Sequence, residues 1–241
     1  MSKLTEGRKE HSHSDEYNWI PDFVYGGIDG AVTTFAVVAG VAGAELSLPI
    51  ILILGFANLF ADGFSMAVGK YQSDKSAIEQ YNQIRDIEYR HIVEKPAHEK
   101  AEVKDILAGY GFKGKDLTSA VDVITSNPDA WVDLMMRNEF NLTQENVQPV
   151  KGGIVTFVSF LTIGFIPMVG YVFKDFFGTN DDQTFILTAS FTLFALFIVG
   201  AVKSKFSVRN WFLCGIETAF VGGFAATIAY LVGYFLKGLG V

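Results

Sequence analysis

Val24-Tyr25-Gly26-Gly27-Ile28-Asp29-Gly30-Ala31-Val32-Thr33-Thr34-Phe35-Ala36-Val37-Val38-Ala39-Gly40 reads as a stretch built to lie in hydrocarbon, interrupted by one carboxylate. An acid at membrane depth costs roughly 3 kcal/mol on insertion scales, and more in simulations. Such a residue faces a bundle interior or a water-filled path, where a cation or proton offsets its charge. Asp29 therefore opens a membrane-transport hypothesis.

Composition agrees. Half of the 241 residues are hydrophobic, and they gather in long runs, a pattern foreign to soluble domains of this length. A formal net charge of −7 argues against a nucleic-acid partner, which would want a basic surface. The single cysteine, Cys214, excludes an intrachain disulfide and a CxxC zinc motif. Residues 1–18 are polar and lack the apolar core of a signal peptide. Nothing in the pattern asks for an organic cofactor.

Five runs approach the roughly 20 apolar residues that a spanning helix needs. They are Phe23–Leu46, Pro49–Tyr71, Val150–Phe173, Gln183–Val202 and Trp211–Leu236. The expected fold is an all-α membrane protein with five transmembrane helices and a helical polar domain between the second and third. The chain divides into a tail (1–20), a first pair of spans (21–71), the polar domain (72–149) and three further spans (150–241). Lys3, Arg8 and Lys9 in the tail, and Lys203, Lys205 and Arg209 in the fourth connection, oppose a base-free first turn at Glu45 and an acidic third connection. The positive-inside rule then puts the N-terminus and the polar domain in the cytoplasm.

Within the polar domain, helical spacing covers Glu79–Val93, Ala97–Tyr110, Lys115–Thr125 and Asp129–Phe140, with Asn127-Pro128 as a helix start. No glycine or proline separates Gly69 from Pro96, so the second span is expected to continue as one helix out of the membrane.

Several side chains could carry chemistry. Asp22 and Asp29 are two turns apart on one face, Asp62 and Met66 share a face one turn apart, and Asn58 lies a turn earlier. Carboxylate oxygen suits harder divalent ions and thioether sulfur adds affinity for softer ones, although methionine also serves as ordinary filler. Glu217, in the fifth span, is a proton-site candidate or an acid that reaches for the polar edge. Glu88 with His91 and Glu99 with Glu102 are spaced to offer two ligands from one helix face, and Met135, Met136 and Glu139 share a later helix. Each pair alone also reads as a solvated charged face. His11 and His13 could hold metal loosely. Gly26 and Gly30 form a small-xxx-small step that fits a dimer seam or packing within one subunit.

Asp29-Gly30-Ala31-Val32-Thr33-Thr34-Phe35-Ala36, Ala57-Asn58-Leu59-Phe60-Ala61-Asp62-Gly63-Phe64-Ser65-Met66 and Asp129-Ala130-Trp131-Val132-Asp133-Leu134-Met135-Met136-Arg137-Asn138-Glu139 resemble, in order, the first two helices and the cytoplasmic domain of the vacuolar iron transporter family. The resemblance implies a homodimer that moves Fe²⁺, and often Mn²⁺, Co²⁺, Ni²⁺ or Zn²⁺, out of the cytoplasm in exchange for protons. It puts translocation residues at Asp29 and Met66, and metal ligands at Glu88, Glu99, Glu102, Met135, Met136 and Glu139. At position 91 the family carries glutamate, and this chain has His91. The membrane would be vacuolar in a eukaryote and the cell membrane in a prokaryote. Rival readings are a ferritin-like di-iron enzyme, which Glu88-x-x-His91 suggests, a passive divalent channel, and a membrane-anchored metal sensor.

Overall fold

The computed structural model describes residues 17–143, 146–206 and 208–237. His11 and His13, with the bases of the tail, lie outside them. Every regular element among the described residues is a helix, without a strand. In chain order the helices are α1 (Ile20–Gly43), α2 (Leu48–Glu94), α3 (Pro96–Gly109), α4 (Gly114–Thr125), α5 (Pro128–Asn138), α6 (Pro149–Gly164), α7 (Ile166–Val172), α8 (Lys174–Phe177), α9 (Asp181–Lys203) and α10 (Trp211–Lys237). Packing divides the chain into two compact units, one formed by residues up to Gln72 together with those from Gln148 onward, the other by Ser73–Val147.

In the first unit, α1, α2, α9 and α10 are each long and apolar enough to cross a membrane. The expected third span is broken. Helices α6 and α7 count as a fifth span only as a pair bent by 40°. The break falls at Phe165, which ends α6 and starts α7, with Pro167 in the first turn beyond it. Proline has no N–H to continue the ladder and its ring crowds the preceding turn.

Helix α1 is gripped by small residues on two sides. A Cβ on Gly30 would lie 2.5 Å from the Phe160 carbonyl oxygen of α6, and one on Gly26 would collide with Ser159 and Thr156. Towards its other end, a Cβ on Gly43 would meet the Tyr230 backbone of α10. Glycine lets these backbones approach where any side chain would hold them apart. The Gly26–Gly30 step is therefore filled by α6 of the same chain. That removes it as a dimer seam.

Helix α2 is one run of 47 residues, the continuous helix expected from the lack of breakers. Its first half presents Ile53, Phe60, Phe64 and Val68 as exposed apolar side chains. Its last turns enter the second unit, where Ile92 joins Val103 and Leu107 of α3, Val121 of α4, and Trp131, Val132, Met135 and Met136 of α5 in one apolar core. The start of α5 follows the Asn-Pro signal: the Asn127 side chain accepts hydrogen bonds from the N–H groups of Asp129 and Ala130, and Pro128 occupies the first turn.

Candidate functional site

The second unit holds an acidic cluster built on α2 and α3. Glu88 and His91 are one turn apart near the end of α2, and the Lys95-Pro96 break restarts the chain so that Glu99 comes back to them. His91 Nδ1 lies 3.3 Å from Glu88 Oε1 and 3.7 Å from Glu99 Oε1. One ligand atom from each of the three falls within 4.8 Å of the others, the one such group among the described residues. Donors bonded at about 2.1 Å to a common ion stand roughly 3.0–3.4 Å apart in adjacent octahedral or tetrahedral positions. The spacing fits with little adjustment.

Glu88 and Glu99 are almost fully buried. Each keeps a buried Oε2 without a hydrogen-bond partner. Burial pushes the carboxyl of Glu88 above its ordinary range, and the charges of Glu99 and Glu139 push the same way. Glu99 is raised by burial and by the neighbouring Glu102. Glu139 is raised by burial, then by Glu102 and Glu99. Four carboxyls thus feel one another in a half-dry setting, where like charges are unfavourable until a cation joins them.

The remaining expected ligands are placed differently. Glu102 is half-buried and lies 3.4 Å from His98 Nε2. Glu139 is exposed and closes α5, its N–H donating to the Met135 carbonyl. Met135 and Met136 are fully buried within the apolar core. His98 is a further neighbour of these acids, legible in the sequence as the residue before Glu99 and four before Glu102.

In the first unit, Asp29 is half-buried on α1 and feels the charge of Asp62 on α2. Among the described residues nothing hydrogen-bonds or ion-pairs with its carboxylate. Asn58, Asp62 and Met66 are half-buried along α2, and the Asn58 amide nitrogen is buried without a partner. Asp22 differs. It is buried, bonded by the Tyr17 hydroxyl at 2.5 Å and paired with Lys70 of α2 at 3.1 Å. Its charge already has a counter-ion. Lys70 sits on the Asp62–Met66 face one turn further on, a spacing visible in the sequence. Glu217 is exposed and accepts from Arg209 at 2.9 Å, an acid reaching to a polar edge.

Comparison with known proteins comes to the same point. The model of the VIT family matches residues 20–234. A vacuolar iron transporter of Toxoplasma gondii is 34% identical over 98% of this chain and 80% of its own length. One from Plasmodium berghei is 32% identical over 95% of this chain and 85% of its own. Vacuolar iron transporter 1 of Arabidopsis thaliana is 32% identical over 88% and 83%.

Proposed function

From the premise that the chain belongs to the VIT family, a family of metal-ion transporters rather than enzymes, we propose that it exports Fe²⁺ from the cytoplasm in exchange for protons, working as a homodimer. The observation that carries this reading is the pair Asp29 and Asp62, two mutually repelling acids on helices long enough to cross a membrane, with no cation of the protein's own recorded beside Asp29. Such acids need a visiting positive charge. Fe²⁺ and protons both supply it, and competition between them at one pair of carboxylates is the elementary form of exchange.

The ion is gathered by Glu88, His91 and Glu99 in the cytoplasm, with Glu102 and Glu139 adding negative charge. Met135 and Met136 offer sulfur only if the core opens around them. The ion then enters a path lined by Asp29 and by Met66, Asp62 and Asn58 of α2, which runs on into the cytoplasmic unit, so that Met66 is met first and Asn58 lies deepest along that helix. Imidazole at position 91 takes one negative charge out of the cluster and adds a borderline nitrogen donor, which suits Fe²⁺, Co²⁺, Ni²⁺ and Zn²⁺ more than Mn²⁺. The dimer is supported by α2. Asp62 and Met66 are partly uncovered among exposed Phe60 and Phe64. An acid left facing lipid is costly, and a second copy laid against this face would enclose it. The N-terminus and the Ser73–Val147 unit are cytoplasmic, and the membrane is vacuolar or, in a prokaryote, the cell membrane.

Fe²⁺ flux in proteoliposomes, with and without a pH gradient, tests the reading. Exchange requires that the gradient accelerate flux and that Fe²⁺ movement shift internal pH. Flux indifferent to the gradient would make the protein a channel. The di-iron reading loses support, because Glu99-x-x-Glu102 does not supply a second Glu-x-x-His beside Glu88-x-x-His91 and a single donor group stands among the described residues.

A further inference from the structure

Asp22 and Asp29 lie two turns apart on one face of α1, and Asp62, Met66 and Lys70 follow at single-turn spacing along one face of α2. The two stripes run in opposite directions and meet in register. Asp29 feels the charge of Asp62, and Asp22 meets Lys70 at 3.1 Å. These two encounters stand about 10–12 Å apart along the helices. The Asp22–Lys70 end is the one at which α2 leaves the first unit, just before its boundary at Gln72. A cation that follows α2 inward therefore passes this pair before it reaches Met66.

A lysine at that place opposes the entry of cations, so its presence asks for a reason. Its side chain is 21% exposed and that of Asp22 10%. Opposite charges so far withdrawn from water hold each other firmly. Lys70 Nζ takes one carboxylate oxygen of Asp22 and the Tyr17 hydroxyl donates to the other. The place that a visiting cation would take at Asp22 is thus held by an ammonium group, whereas among the described residues no ion pair forms at Asp29.

We propose that Lys70 is a tethered counter-ion that keeps Asp22 closed to small cations, and that a divalent ion opens Asp22 by displacing it. By Coulomb's law a doubly charged ion is drawn to the carboxylate about twice as strongly as an ammonium at equal distance. Na⁺ and K⁺ have no such advantage. Lys70 is then a specificity-determining residue. It reserves the mouth for divalent ions, and it weakens their apparent affinity by the fraction of molecules in which it stays in place. Its part in transport rests on the reading above; the release of a cation site at Asp22 does not.

The first arm of the test uses full-length protein in neutral detergent, with Glu88→Gln, His91→Ala and Glu99→Gln combined to silence the cytoplasmic cluster, and Mn²⁺ as the probe. Adding Lys70→Met should enlarge the rise in melting temperature that Mn²⁺ produces. Adding Asp22→Asn to that should abolish the enlargement. Lys70→Gln, which keeps a hydrogen bond to Asp22 without the charge, should behave as Lys70→Met does. An equal Mn²⁺ effect with lysine, methionine and glutamine overturns the proposal. The second arm measures Fe²⁺ flux in proteoliposomes. Lys70→Met should lower KM by about threefold or more, Lys70→Arg should keep it, and Lys70→Met with Asp22→Asn should bring it back. A lower kcat with KM unmoved in Lys70→Met would leave the pair a structural tie between α1 and α2 and overturn the proposal. Absence of flux in the unsubstituted protein overturns the transport reading alone, and a larger Mn²⁺ effect in Lys70→Met still upholds Lys70 as the counter-ion of a cation site.

Discussion

His91 Nδ1 lies 3.3 Å from Glu88 Oε1, from the next turn of the same helix. Both side chains also meet Glu99 across a helix break. An imidazole held between two carboxylates is oriented before any metal arrives, and this orientation lowers the entropy lost on binding. His91→Ala should therefore weaken Co²⁺ and Zn²⁺ binding by about tenfold or more. His91→Glu should restore affinity for Mn²⁺ in preference to Zn²⁺. Calorimetric titration of the purified protein checks both, and equal Zn²⁺ affinity in His91→Ala would remove His91 from the ligand set.

Stability without metal should depend on pH in an unusual direction. Glu88, Glu99 and Glu139 are raised above the ordinary glutamate value of 4.5, so the folded state holds their protons more tightly than the unfolded chain. By linkage, stability is fullest near or below that value and falls as pH rises through the folded pKa values. Bound metal needs the carboxylates deprotonated and reverses the slope. Melting temperatures across mildly acid to neutral pH, with and without Co²⁺, test this. Glu88→Gln should flatten the metal-free slope. A metal-free melting temperature that climbs with pH and ignores that substitution would contradict the cluster's electrostatics.

Lys70 and Asp22 form a pair of low exposure at 3.1 Å. Removing one partner strands the other charge, at a cost of about 3 kcal/mol or somewhat less because some solvent reaches the lysine. Lys70→Met should lower the melting temperature, and Asp22→Asn added to it should recover much of the loss. If the double variant melts lower than the single one, the pair is not what ties α1 to α2.

Much of this architecture was legible in the chain. The polar stretch after the second span gave its helices because Pro96, Pro128 and the glycines at 109, 111 and 114 mark their ends chemically. The acids at 88 and 99 were legible as ligands in spacing, but spacing could not show that the Lys95-Pro96 break folds them together. Two readings turn on a neighbour that the sequence does not show: Asp22 shares a face with Asp29, and Gly26–Gly30 fits either a dimer seam or packing within one subunit, because a helix face says what it presents and not which neighbour takes it. Lys70 and α6 took those places. The bend at Phe165 was similarly hidden, since Pro167 inside an apolar run is compatible with a straight or a broken span.

The same neighbour supplies a further test. A methyl group on Gly30 would stand 2.5 Å from the Phe160 carbonyl oxygen, a contact the two backbones can relieve only by moving apart. Gly30→Ala should destabilise the single subunit by about 1–3 kcal/mol, with oligomeric state in detergent unchanged. Dissociation of the oligomer without loss of subunit stability would return the glycine step to the dimer seam.

The central claim is that a cation visits Asp29. Asp29→Asn keeps the size of the side chain and removes only its charge. Fe²⁺ uptake by proteoliposomes carrying that variant, at matched protein incorporation and under the same pH gradient, should fall to the level of empty vesicles, while metal binding by Glu88, His91 and Glu99 persists. Uptake at the unsubstituted rate would contradict the account.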